Sequence, residues 1–297
     1  MYGNTNKGEY SMKHAHLKAF TYKGKGGNSA GVVIVEDRLT DEQMQEKASE
    51  LGFSETAFVK RLKGDKFSVR FFTPKCEVDL CGHATIASFY YLGIKNLIKP
   101  FEGKWTGLQT TKAGNLNVEV SYVNKKVDSV CMQQSQPEEY GEVLDFKGIG
   151  ESLNIPEDYI RLKDYKINPR IISTGLKDIL IPIKSREILN NIKPNFEKIL
   201  HVSLLNQSVG YHLYTIEDGT IYTRNFAPQV GINEECATGT SNGALIYLLS
   251  KEGLTDEADI IQGETMGETS MIYTKAIHLM NKYIIKVGGK ATLIDEH

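Results

Sequence analysis

Two short stretches of the chain carry the residue types that proton transfer needs. The first is Leu80-Cys81-Gly82-His83-Ala84, where a thiol and an imidazole flank a glycine. The second is Glu234-Glu235-Cys236-Ala237-Thr238-Gly239-Thr240, where two carboxyl groups and a thiol lead to another glycine. A third candidate, Glu55, follows Ser54 at the entrance of the apolar run Ala57-Phe58-Val59, where partial burial would raise its pKa toward neutrality. His83, in the first turn of a helix, could donate to a ligand carboxylate or shuttle protons near neutral pH. Cys81 at the same helix start would have its thiol pKa lowered, so a thiol acid/base or nucleophile stays open as well.

Each of these signals is weak when taken singly. Most glutamates at loop ends are solvated, and a helix-start histidine is more often structural. Acidic residues before a helix are explained by its dipole alone. Cys76, Cys81 and His83 fit no common zinc spacing, so no metal is expected. Gly24-Lys25-Gly26-Gly27 lacks the spacing of a phosphate or dinucleotide loop.

An internal echo strengthens the reading. Phe72-Thr73-Pro74 precedes Gly82, and Phe226-Ala227-Pro228 precedes Gly239, so two strand ends lead through acidic loops to glycines that open helices. The glycines lie 157 positions apart (239 − 82), half the chain. Two like domains facing one cleft would account for this. Glycine at a helix N-terminus lets a ligand approach main-chain N–H groups, and two such termini make a carboxylate site without arginine. Proton abstraction beside a bound carboxylate then needs a base, an acid and a dry pocket.

Around these points the pattern predicts a strand near His16–Phe20 and a buried strand at Val32–Val35. Thr40 and Gln43 form a capping-box signature for a helix that buries Met44, Ala48 and Leu51 and stops at Gly52. Phe67, Val69 and Phe71 alternate as in a half-buried strand, and Ala84, Ala87, Tyr91 and Ile94 read as one apolar helical stripe. Gly114-Asn115 before Leu116, Val118 and Val120 marks the second arm of a hairpin. Asn124-Lys125-Lys126 reads as a linker, Ile179–Ile181 as a strand, and Asp218-Gly219 as a hairpin turn. A helix is expected over 239–249, with strands near Ile260 and Ile284.

Thirty-five basic against 37 acidic side chains leave a net charge of −2, which excludes an electrostatic nucleic-acid binder. No apolar run approaches the ~20 residues of a membrane helix. Four cysteines without a signal-peptide pattern read as reduced thiols in a cytoplasmic protein.

The motifs together resemble the PhzF family of phenazine-biosynthesis-like isomerases, within the diaminopimelate epimerase superfamily. The matching segments run in order from Ala19-Phe20-Thr21 and Gly27-Asn28-Ser29-Ala30, through Ser54-Glu55-Thr56 and Cys81-Gly82-His83, to Thr238-Gly239-Thr240 and Gln262-Gly263. The resemblance implies an α+β (mixed α/β) fold of two pseudo-symmetric domains, each a sheet around a central helix, with the ligand between them. Residues 1–12 would be a disordered lead-in, 13–125 the first domain with strand 284–297 returning to it, and 126–283 the second. It also implies a cofactor-free homodimeric enzyme acting on a small carboxylate, with Glu55 as acid/base and His83 and Glu235 beside the substrate. Asn28, Ser54, Cys81, Gly82, Gly239 and Thr240 would line the substrate site. Thr238 stands where related epimerases place a second cysteine, and Glu268 where the family typically has arginine. An amino-acid racemase using Cys81, or a binding protein that kept the fold, are the alternative readings.

Overall fold

A computed structural model describes residues 12–99, 102–280 and 282–297. The lead-in expected over 1–12 falls, except for Met12, outside the described residues. The first half runs β1 (His14–Ala19), β2 (Asn28–Ile34), α1 (Asp41–Leu51), β3 (Glu55–Arg61), β4 (Lys66–Phe72), β5 (Glu77–Val78), α2 (Gly82–Ile94), β6 (Gly103–Thr111), β7 (Gly114–Val123) and β8 (Lys126–Gln133). There follow β9 (Glu138–Glu142), α3 (Phe146–Leu153), β10 (Arg170–Ser173), β11 (Lys177–Pro182), α4 (Arg186–Asn191), α5 (Phe196–Leu205) and β12 (Gly210–Glu217). The chain ends with β13 (Thr220–Ala227), β14 (Ile232–Glu235), α6 (Gly239–Lys251), β15 (Glu257–Gln262), β16 (Ser270–Leu279), β17 (Lys282–Gly289) and β18 (Ala291–Glu296).

Strand pairing repeats between the halves. In the first, β1–β2 is antiparallel, β2–β3 parallel, β3–β4 antiparallel, β4–β6 parallel, and β6–β7 and β7–β8 antiparallel. In the second, β10–β11, β11–β12, β12–β13, β13–β15, β15–β16 and β16–β17 repeat that order of directions. The halves join where β8 meets β17 antiparallel, with Cys131 opposite Gly288, again 157 positions apart (288 − 131). β18 pairs with β1, and β9 pairs with β10.

Each half wraps its sheet round one helix of 13 residues, α2 or α6. This corrects the single apolar stripe expected on α2. Every residue from His83 to Phe89 is buried, because the sheet encloses the helix on all sides. Small side chains such as Ala84, Ala87 and Ser88 let strands approach that closely, and Phe89 stacks edge-on with Phe67 at 5.5 Å. α1 carries the expected capping box, and Gly52 ends it in the left-handed conformation with its N–H on the Ala48 carbonyl.

The expected linker at 124–126 is a tight turn instead. Asn124 and Lys125 take φ of 52° and 60° and close hairpin β7–β8 through the pair Val123 and Lys126. Asp218-Gly219, at 51° and 74°, closes β12–β13 in the same way. A polar dipeptide between two strands reads as a linker only until their pairing is known.

The seam between halves leaves no room for a side chain at Gly288, where a Cβ would stand 2.4 Å from the Val130 carbonyl oxygen. Gly288→Ala should therefore lower the unfolding free energy read by chemical denaturation by about 2 kcal/mol, from overpacking. Gly64→Ala has nothing within 4 Å of its Cβ but sits at a φ of 73°, and serves as the control for backbone strain alone.

Candidate active site

The first residues of α2 and α6 meet. A Cβ on Gly82 would lie 4.0 Å from the Gly239 Cα, and the nearest atoms to a Cβ on Gly239 are side-chain carbons at 3.7 Å. Neither glycine has a positive φ. Space and backbone would thus admit a side chain at both positions, unlike Gly26, whose Cβ would strike the Thr269 carbonyl at 2.0 Å. Neither crowding nor backbone strain therefore calls for glycine at these two helix starts.

Capping points the same way. Among the six described α-helices, α1, α3, α4 and α5 begin with Thr40, Asp145, Ser185 and Asn195 accepting from a first-turn N–H. Cys81 before α2 and Thr238 before α6 make no such bond. These two helix starts therefore lack the side-chain cap that the other four have, each at the positive end of a buried helix.

The titratable groups gather beside this junction. Glu55 opens β3, and its Oε2 stands 3.0 Å from Nε2 of His83, in the first turn of α2. Ser54 Oγ lies 3.3 Å from the same nitrogen. Asn28, at the start of β2, donates from Nδ2 to Glu235 Oε1 at 2.7 Å and lies 3.4 Å from His83 Nδ1. The Thr238 hydroxyl donates to Glu235 Oε2 at 3.3 Å. Glu55, His83 and Glu235, far apart in sequence, therefore share one neighbourhood, together with Asn28, Ser54, Cys81, Gly82 and Gly239. Thr240 sits one residue into α6, with its carbonyl receiving the Thr174 hydroxyl at 2.8 Å. Glu234 turns away to a two-pronged pair with Arg224, at 2.8 and 2.9 Å. Glu268 pairs with Lys18 at 3.0 Å.

The electrostatics reverse one expectation. Burial pushes the Glu55 carboxyl up, but His83, by hydrogen bonding and charge, and Ser54 outweigh it and hold Glu55 below the ordinary carboxylate range. Burial likewise opposes a charge on His83, while the Cys81 sulfur and the Glu55 carboxylate hold it well above its ordinary value. Burial also pushes the Cys81 thiol up despite the adjacent imidazole. Glu235 is raised, first by burial, with the Glu55 charge adding to it against the opposing pull of His83. The raised carboxyl is therefore Glu235 rather than Glu55, and the two are driven apart as an acid/base pair requires.

Ligand atoms of Glu55, Cys81 and His83 lie within 4.8 Å of one another, the spacing of a potential cation site. The sulfur, however, is 3.5 Å from Nδ1 and 3.7 Å from Nε2 of His83, which puts it beside the ring rather than along either lone pair. Cys76 is exposed, outside this cluster. Cys236 donates its thiol to the Gly27 carbonyl at 3.4 Å. Sequence reasoning assigned no role to Gln262, which is fully buried behind Glu235 and bonded to its backbone carbonyl at 2.7 Å.

The fold brings two like halves together at the starts of their central helices, with Glu55, His83 and Glu235 alongside. The family model described as phenazine biosynthesis-like protein matches residues 17–297. An uncharacterized isomerase of Clostridium acetobutylicum is 34% identical over 294 residues, 94% of each chain. The crystal structure of a Bacillus anthracis phenazine biosynthesis protein of the PhzF family matches with a TM-score of 0.84 at 26% identity, over 96% of this chain and 98% of that one. A hydroxyproline epimerase of Agrobacterium vitis, holding trans-4-hydroxy-L-proline, shares the fold at a TM-score of 0.62 and 12% identity, over 96% of this chain and 91% of its own. The chain belongs to the phenazine biosynthesis-like, or PhzF, family.

Gly82→Ala tests what the glycine is for. The substitution should leave stability within about 1 kcal/mol, since alanine is the better helix former. It should also abolish binding of small carboxylic acids, read by nuclear magnetic resonance titration.

Proposed function

We propose that this protein is a cofactor-independent isomerase that moves a proton next to the carboxylate of a small cyclic or amino-acid-like substrate held between its halves. The observation that carries this reading is the pair of uncapped helix starts abutting at Gly82 and Gly239, with Glu55 and His83 alongside. The helix N-termini hold the substrate carboxylate and stabilise the charge that develops next to it when a proton leaves. Glu55, ionised because His83 pairs with it, takes that proton and returns it on the same face. His83 stays charged throughout and moderates the change in charge on Glu55. Glu235, raised by burial, presents a second proton-carrying group from the other half.

The racemase reading through Cys81 is less well supported, because burial keeps that thiol protonated and Thr238 supplies no partner thiol. A binding protein that kept the fold would show no proton exchange at all. Solvent-deuterium incorporation into a panel of small carboxylic acids separates the three. Glu55→Gln is expected to lower exchange by at least about a thousandfold while the fold and carboxylate binding persist, and Cys81→Ala to retain it. Full exchange in Glu55→Gln would dismiss Glu55 as the base.

The same assay predicts a pH profile. Glu55, held below its ordinary 4.5, is ionised across the neutral range, and His83, held above its ordinary 6.5, keeps its proton there. The exchange rate should be flat between about pH 5 and 6.5 and fall only on the alkaline side, as His83 loses its proton. An acid-side fall within that window would contradict the pairing.

A further inference from the structure

Threonine is a good helix cap, and Thr40 caps α1 in this chain. Thr238 stands at the same position before α6 but does not cap it. The cause is Gln262, the last residue of β15. Its Nε2 donates to the Thr238 hydroxyl oxygen at 2.9 Å and to the Glu235 carbonyl at 2.7 Å. Its Oε1 accepts from the Thr238 N–H at 3.3 Å, from Asn242 Nδ2 at 2.8 Å and from the Thr223 hydroxyl at 3.4 Å. A main-chain carbonyl only accepts and a main-chain N–H only donates, so these partners determine which end of the amide is which. The Thr238 oxygen therefore receives a proton from Gln262, and its own hydroxyl proton is directed to Glu235 Oε2.

We propose that Gln262 is a positioning residue that withholds the Thr238 hydroxyl from its own helix, steadying Glu235 and keeping the first-turn N–H groups of α6 free for the substrate. The oxygen best placed to compete with a ligand carboxylate for those donors is the N-cap hydroxyl itself, which would accept from the Ser241 N–H as Thr40 accepts from that of Gln43. Gln262 holds that oxygen aside with a bond that is fully buried. Its role at the ligand rests on the carboxylate reading above; its role on Thr238 does not.

Gln262→Leu removes the donor to Thr238, and the near-isosteric Gln262→Glu does so in case the leucine chain does not fold. Crystal structures of these variants are expected to show Thr238 Oγ1 turned onto the Ser241 N–H; a hydroxyl still directed at Glu235 overturns the proposal. Benzoate, titrated into the full chain by nuclear magnetic resonance, is expected to bind about fivefold more weakly to the Gln262 variant, the worth of one cap bond. Adding Thr238→Val deletes the competing oxygen and should bring affinity back to within about twofold of wild type, with the fivefold loss again as its reference. A double variant as weak as the single one overturns the competition. A wild-type chain that takes up no benzoate overturns the carboxylate site itself, whereas the crystallographic arm judges Gln262 independently.

Discussion

Two buried helices whose starts meet at Gly82 and Gly239, neither capped by the side chain before it, are the constraint from which the rest of this structure follows. A buried N–H without a partner costs on the order of 1–3 kcal/mol. Each half encloses its own helix, α2 or α6, yet leaves the first residue of that helix against the first residue of the other. Four other helices satisfy their ends with side chains, so the chain is able to cap and does not do so here.

On this symmetric frame the chemistry is asymmetric. Through the pairings Thr56–Phe72 and Tyr211–Phe226, Glu55 corresponds to Gly210, where a Cβ would meet the Phe226 carbonyl oxygen at 1.8 Å. The second half therefore has no room for a base at that position. Through Phe71–Val78 and Asn225–Glu235, Glu235 corresponds to Val78. Each half supplies one carboxyl group that the other lacks. Their surroundings then drive them apart, Glu55 down through His83 and Glu235 up through burial.

Behind Glu235 the second half is threaded by buried polar groups. Gln262 bonds Asn242, Asn242 lies 3.1 Å from His212, and His212 lies 3.3 Å from Asn225, which donates to Ser241. Ser241 donates to Asp178, whose carboxyl burial pushes up to about 6. His212 is pushed down to about 4 by burial, so the two titratable members of this network are both neutral between about pH 4 and 6. Such networks specify one arrangement of the loop from Glu235 to Thr238, because every alternative strands a buried donor.

Local elements were legible from residue type and spacing. The Thr40 and Gln43 capping box, the stop at Gly52, the Asp218-Gly219 turn and the paired glycines all depend on neighbours within a few positions or on internal similarity. The linker at 124–126 was misread because Asn124 and Lys125 show themselves as a turn only once Val123 pairs with Lys126, and the stripe on α2 because its enclosing sheet comes from distant sequence. So did the direction of the Glu55 shift, since its charge is set by His83, 28 positions away (83 − 55). The sequence alone determined which residues could do chemistry and that the chain has two like halves, because composition and repetition are written in order. Only the tertiary structure decided which carboxyl is ionised, which helix starts stay uncapped and what Gln262 holds, because hydrogen bonds and burial act across space without regard to position in the chain.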